Sequence, residues 1–130
     1  MPDDKVRIAI VGGGRAGAPL LEALSALPYI EVIGVADHDP NSTGATFALD
    51  HDIFYTENAS VLGAKAEEID LIIEVSGDPT VKPALKEAFR AQGNTGTIIV
   101  HDLVARLLMT LASGADTLAP SIHPHDRGIG

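Results

Sequence analysis

Continuous apolar runs alternate along this 130-residue chain with segments in which apolar residues recur every three or four positions. The runs are rich in Val and Ile, as is typical of strands whose two faces are both covered in a parallel sheet. The pattern predicts five strands, at residues 6–11, 31–36, 53–55, 69–75 and 97–100. The third is short, which indicates an edge strand.

The segments between the strands have helical periodicity. Apolar positions spaced for one helical face predict helices at residues 16–27, 43–49, 57–66, 80–92 and 102–112. Pro28 stops the first helix, and Ser42 or Thr43 can cap the second. Because strands and helices alternate, right-handed crossovers should place helices on both faces of the sheet. We therefore expect an α/β fold with a doubly wound parallel sheet of about five strands in the order 3-2-1-4-5.

The turn after the first strand carries three glycines in the spacing G-x-G-x-x-G: Gly12, Gly14 and Gly17. Gly12 allows a tight exit from the strand, Gly14 lets the backbone approach a pyrophosphate, and Gly17 lets helix and strand pack closely. The phosphates would bind the free N–H groups at the positive end of the helix. The candidate cofactor-binding residues of the turn are Gly12, Gly13, Gly14, Arg15, Ala16 and Gly17. The alternative is a turn that needs glycine for its conformation alone.

Asp37 ends the second strand about twenty residues after the glycine turn. At this position a carboxylate accepts hydrogen bonds from the hydroxyls of an adenosine ribose, and its charge repels a 2′-phosphate. The sequence therefore favours NAD as the cofactor, with NADP second. His38 is a further candidate, since a protonated imidazole would soften that preference. Asp37 could instead serve only as a turn former or helix cap.

Ser76 and Gly77 follow the fourth strand at the same edge of the sheet, where they could border the cofactor or simply turn the chain into the next helix. Glu74 lies inside the apolar strand, so it must be paired, exposed or shifted in pKa. A paired or surface acid is favoured over a proton-handling group. His101 and Asp102 end the last strand, with Asp102 predicted as a helix cap. No catalytic residue is assigned.

The amino-acid composition and net charge exclude several classes of function. The net charge of −9 and the scattered Lys and Arg argue against nucleic acid as a partner. The chain lacks cysteine, which excludes disulfides and thiolate chemistry. No apolar run approaches the roughly 20 residues needed to cross a bilayer, so we expect a cytoplasmic protein. The 45% apolar share makes a homodimer a candidate.

The end of the chain departs from the alternating pattern. We expect one dinucleotide-binding domain at residues 1–113, followed by a flexible tail or linker at 114–130. His123, His125 and Asp126 lie in that tail and are too few to define a metal site. No metal is therefore expected.

From residue 6 to about 111 the sequence resembles the NAD(P)-binding Rossmann domain at the amino terminus of the glucose–fructose oxidoreductase family and of homoserine and aspartate dehydrogenases. Residues 8–17, 32–37 and 69–77 carry the resemblance. The chain also resembles nucleotide-binding modules attached to bacterial sensory proteins. The resemblance implies pyrophosphate binding by the glycine turn, ribose binding by Asp37, and a loop along the cofactor at Ser76 and Gly77. The Glu-Lys-Pro element and the large substrate domain of the catalytic families have no match here.

Three functional hypotheses follow. The first is a binding module that senses NAD(H) or presents it to a partner domain. The second is an NAD-dependent oxidoreductase whose substrate residues come from a partner or lie outside this sequence. The third is a fold that binds another adenine nucleotide, coenzyme A or no ligand, and acts through association.

Overall fold

The computed structural model describes residues 4–14, 17–114 and 117–118. Its strands are β1 (Val6–Val11), β2 (Ile30–Ala36), β3 (Tyr55–Thr56), β4 (Leu71–Glu74) and β5 (Ile98–Val100). Its helices are α1 (Gly17–Ser25), α2 (Thr43–Asp50), α3 (Ala59–Ala64), α4 (Val81–Gln92) and α5 (Asp102–Ser113), with one 3-10 turn at Ala66–Glu68.

The five strands form one parallel sheet in the order β3-β2-β1-β4-β5. This confirms the predicted α/β class and strand order. β1 lies at the centre, where Val11 pairs with Ala36 on one side and with Glu74 on the other. The carboxyl ends of β2 and β4 therefore flank the glycine turn that leaves β1.

Helices cover both faces of the sheet, as right-handed crossovers require. On one face, α1, α2 and α5 pack over Ile8, Ile10 and Val35. On the other, α3 and α4 pack over Ala9 and Ile72. The central strand is buried on both faces from Ile8 to Val11, which explains why its sequence is apolar apart from the exposed Arg7.

Several element boundaries differ from those predicted. β4 covers four residues rather than seven, and α1 ends at Ser25, so Leu27 lies beyond the helix. Strand β3 begins at Tyr55 because its pairing partners are Val35 and Ala36 at the very end of β2. Most of the predicted tail at 114–130, including its three candidate metal ligands, lies outside the described residues.

Candidate functional site

Packing alone requires two of the three glycines in the turn. Gly12 has a φ of +102°, and an added Cβ there would lie 2.8 Å from the backbone N and Cα of Ser76. At Gly17 an added Cβ would lie 1.6 Å from the carbonyl oxygen of Gly12. Any side chain at either position would collide with backbone. Glycine at these two positions lets the turn pack closely against the chain after β4 and against the start of α1.

Gly14 differs from both. It is exposed, and an added Cβ would meet no atom within 4 Å. Nothing in the described part of the chain therefore explains a glycine at this position. The open space is what the close approach of a ligand to the backbone requires. Arg15 and Ala16, also predicted to contact the cofactor, lie outside the described residues.

The Asp37 carboxylate lies against the glycine turn. Its Oδ2 accepts a hydrogen bond from the Gly13 N–H at 2.6 Å, and its Oδ1 accepts one from the Asp39 N–H at 2.9 Å. The second bond is the turn-forming contact that the alternative interpretation expected. Because a carboxylate has about four acceptor positions, each oxygen can still accept a hydrogen bond from a ligand hydroxyl.

Tyr55 supports the backbone of Asp37 from the neighbouring strand. Its hydroxyl donates to the Asp37 carbonyl oxygen at 2.5 Å. Desolvation raises the pKa of Tyr55, and the nearby carboxylates of Glu57, Asp37 and Asp39 raise it further. The phenol therefore stays protonated and keeps donating at neutral pH.

On the other side of the turn, Glu74 is fully buried at the end of β4. Its Oε2 accepts from the Ser76 N–H at 2.9 Å and from the Ser76 hydroxyl at 2.5 Å. Ser76 is the residue against which Gly12 packs. Glu74 thus fixes the surface on which the glycine turn rests, and the prediction of a paired acid is confirmed.

His101 lies beside Glu74 and is 6% exposed. Its Nδ1 lies 2.7 Å from the Glu74 carbonyl oxygen and 3.1 Å from Glu74 Oε1, but the carboxylate contact does not have hydrogen-bond geometry. The shorter contact with the carbonyl is the one we assign as the hydrogen bond. A buried imidazole joined in this way ties β4 to the start of α5.

Asp102 was predicted as the cap of the last helix, and that prediction is wrong. His101 occupies the cap position, while Asp102 is the first helical residue and is buried. Its carboxylate lies 3.6 Å from the Arg106 guanidinium one turn later. An acid in the first turn still favours the helix electrostatically.

The loop after β4 continues through Gly77, with a φ of +77°, to Asp78. The Asp78 carboxylate accepts hydrogen bonds from the Thr80 hydroxyl and N–H, which lower the pKa of Asp78. The charge of His38 lowers it further. His38 is exposed and follows Asp37 at the same edge of the sheet.

An open crevice of about 500 Å³ adjoins the glycine turn between α1 and the start of α2. It is lined by Gly14, Ala18, Pro19, Glu22, Asp39, Asn41, Ser42 and Thr43. Among the predicted site residues that the structure describes, Gly14 is the one that lines it. Asp37, Ser76 and Gly77 are not among its lining residues, so this crevice extends the candidate site rather than coinciding with it.

Sequence reasoning missed Gly44. Its N–H donates to the Gly13 carbonyl oxygen at 2.8 Å, so both backbone groups of Gly13 are bonded within the protein. A glycine in the first turn of a predicted helix was the available signal, because glycine is unfavourable there.

No protein-family model matches this sequence, and no curated protein matches it either. Solved structures do match. GenD2 from gentamicin A biosynthesis, solved with NAD, is 18% identical over 85% of this chain and 32% of its own, with a TM-score of 0.60. WlbA dehydrogenase from Chromobacterium violaceum, solved with NADH and UDP-GlcNAcA, is 23% identical over 88% of this chain and 33% of its own, with a TM-score of 0.59.

Apo scyllo-inositol dehydrogenase from Lactobacillus casei is a third such structure, 16% identical over 88% of this chain and 34% of its own, with a TM-score of 0.56. These likenesses establish the fold alone: the chain has a Rossmann-like, doubly wound α/β architecture. It spans about a third of the length of these neighbours. Among the described residues, no helix combines the length and apolar character that a membrane span needs.

Proposed function

We propose that this chain binds the dinucleotide NAD(H) at the edge of the sheet where β1, β2 and β4 end, and that it senses the cofactor or presents it to another domain. The observation that carries the proposal is the contrast among the glycines of the turn. Gly12 and Gly17 are required by packing, whereas Gly14 faces open space. A diphosphate beside Gly14 would use this space and the positive end of α1.

Asp37 supports the same assignment. Its oxygens are held in place by two backbone N–H groups, and each keeps an acceptor position for a ribose hydroxyl. A 2′-phosphate would place negative charge beside this carboxylate, which favours NAD over NADP. His38 on one loop and Ser76 with Gly77 on the other would border the bound molecule.

An NAD-dependent oxidoreductase is the second candidate. It is supported by two of the solved neighbours, WlbA dehydrogenase and scyllo-inositol dehydrogenase, of which this chain covers 33% and 34%. In that case the domain at residues 1–113 would hold the cofactor, and other parts of a longer protein or a partner would supply the substrate site. Turnover of a small carbonyl or amino-acid substrate by the isolated chain would favour this candidate.

The proposal includes a cytoplasmic location, supported by the acidic, cysteine-free composition.

The proposal also includes a second copy of this chain as partner. Leu103, Leu107 and Leu111 recur every four residues along α5 and are exposed. Val104 and Ile98 are exposed as well, and a specific interface between two copies would have to bury about 1,000 Å² or more in total. Sedimentation velocity should show a dimer that Leu107→Glu dissociates; a monomeric wild type would contradict this part.

A calorimetric and thermal-shift panel with NAD, NADH, NADP, ATP and coenzyme A tests the binding proposal. At about a hundred times its dissociation constant a ligand adds about 2.7 kcal/mol of stability, which raises Tm by several degrees. We expect this shift with NAD and NADH. Tighter binding of NADH than NAD would favour sensing. If the protein bound ATP or coenzyme A more tightly than NAD and NADH, the site would be assigned to another adenine nucleotide instead of the dinucleotide.

Gly14→Val is the sharpest single variant. Because an added Cβ at Gly14 meets no atom within 4 Å among the described residues, the fold should persist while the ligand's space is filled, and NAD binding should fall below detection. Gly96→Val is the matched control, since Gly96 is exposed and its nearest atom to an added Cβ is 3.9 Å away, on the Asn94 side chain. If Gly14→Val bound NAD as well as Gly96→Val, the diphosphate would not lie at this turn.

A further inference from the structure

The first turn of α2 lies directly on the glycine turn. Gly44, the second residue of this helix, is buried, and its N–H donates to the Gly13 carbonyl oxygen at 2.8 Å. An added Cβ on Gly44 would lie 2.6 Å from the Gly13 Cα and 2.9 Å from the Gly13 carbonyl oxygen. Both are backbone atoms, so no rotamer change could relieve the clash. A side chain at Gly44 would have to move the turn or the helix.

Gly63 in α3 shows that a helical glycine need not have such a role. An added Cβ there would lie 3.4 Å from the Ala88 Cβ and 3.4 Å from the Leu85 Cδ2, both ordinary side-chain contacts. Glycine in a helix is less favourable than alanine. At Gly63 an alanine would fit, so lack of space does not explain why glycine occupies that position. At Gly44 the close approach to Gly13 does explain it.

The contact also determines which groups of the turn face a ligand. The Gly13 N–H is bonded to the Asp37 carboxylate and the Gly13 carbonyl to Gly44. A carbonyl oxygen directed at a diphosphate would repel it, and here that oxygen is held by α2. Both backbone polar groups of Gly13 are therefore held within the protein. The exposed backbone that follows begins at Gly14.

We propose that Gly44 is a positioning residue for the dinucleotide site: by allowing α2 to lie against Gly13, it sets the place and orientation of the glycine turn. This inference rests on the proposed NAD(H) binding and extends the site beyond the three glycines of the motif. The segment from the end of β2 to the first turn of α2 then supplies two fixed contacts with the glycine turn, the Asp37 carboxylate and the Gly44 N–H.

Gly44→Ala tests the proposal, with Gly63→Ala as the matched control. Both variants exchange a helical glycine for the best helix former. We expect calorimetry with NADH to show at least a tenfold weaker affinity for Gly44→Ala and a change below twofold for Gly63→Ala. Urea unfolding of the ligand-free variants should remain cooperative in both, so that the loss is one of affinity rather than of the fold. Unchanged NADH affinity in Gly44→Ala would overturn the proposal.

If Gly44→Ala failed to fold, Gly13→Ala would probe the same contact more gently. Its Cβ would lie 3.0 Å from the Gly44 Cα and 3.1 Å from the Asp37 Oδ2 and the Ser42 Oγ. NADH affinity should again fall at least tenfold, and wild-type affinity would overturn the proposal.

Amide NMR spectra separate this inference from the proposed function. In the ligand-free protein the Gly13 and Gly14 signals should shift in Gly44→Ala and stay in place in Gly63→Ala. If they shift but the wild type binds no NADH, the positioning contact stands and the proposed function fails. If they do not shift, the positioning contact fails, whatever the wild type binds.

Discussion

Two carboxylates end the strands on either side of β1, and their surroundings are opposite. Asp37, which follows β2, is half-buried and accepts hydrogen bonds from two backbone N–H groups. Glu74, the last residue of β4, is fully buried and accepts two hydrogen bonds from Ser76. Asp37 accepts a hydrogen bond from Gly13 within the glycine turn. Glu74 accepts hydrogen bonds from Ser76, the residue on which Gly12 packs.

The difference separates recognition from support. A carboxylate with exposed acceptor positions can exchange water for a ligand hydroxyl at little cost. A fully buried carboxylate has no such access and acts through the groups it fixes. The β2 side of the turn is therefore the side we assign to the ligand, and the β4 side is its structural base. Variants of the two acids should lose different properties.

The largest effect is expected for Glu74→Ala. The change leaves the two part-buried donors of Ser76 without their acceptor and opens a cavity at a fully buried position, which should lower the free energy of unfolding by about 3 kcal/mol. Urea unfolding measures it. Glu68→Ala is the control, because Glu68 is exposed and should change stability by less than about 0.5 kcal/mol. Equal stability of the two variants would show that the Glu74 network contributes little.

Asp37→Ala should show the reverse pattern. Loss of charged acceptors for the ribose should weaken NAD binding by about 10–100-fold, equivalent to about 1.4–2.7 kcal/mol. Stability should fall by about 1 kcal/mol, because only two partly solvated N–H groups lose their partner. Calorimetry and urea unfolding on the same sample give both values. A large loss of stability with unchanged affinity would make Asp37 a structural acid like Glu74.

The smallest effect concerns the helix caps. Ser42 caps α2 by accepting from the Ala45 N–H, and Asn58 caps α3 by accepting from the Ser60 N–H. Each Ala variant should cost about 1 kcal/mol of stability. Because α2 contacts the glycine turn, only Ser42→Ala should also weaken NAD binding, by a few fold in calorimetry. Equal affinities in the two cap variants would show that fraying of α2 does not reach the site.

Much of the architecture could be predicted from the sequence, because it follows from burial. β1 is buried on both faces, and its predicted bounds at Val6–Val11 are those observed. The alternation of strands and helices predicted the parallel sheet, and the predicted order 3-2-1-4-5 is the one observed. The spacing of Gly12 and Gly17 also predicted close packing that the structure contains.

The remaining features depend on contacts between residues far apart in sequence. β3 is defined by its pairing with Val35 and Ala36, which its own apolar run does not indicate. The Gly44 contact with Gly13 spans about thirty positions; a glycine early in a predicted helix marks Gly44 as unusual, but the local sequence does not identify its partner. The cap of α5 falls at His101 because that imidazole is held by β4, a tertiary effect that outweighs the capping preference of Asp102.

The central claim is that a diphosphate lies beside Gly14 while Asp37 holds the adjoining ribose. A crystal structure of the protein grown with NADH tests it most directly. The account predicts phosphate oxygens within hydrogen-bond distance of the backbone at Gly14, and ribose hydroxyls within about 3 Å of the Asp37 carboxylate. NADH bound elsewhere on the protein, with Gly14 and Asp37 unoccupied, would contradict it.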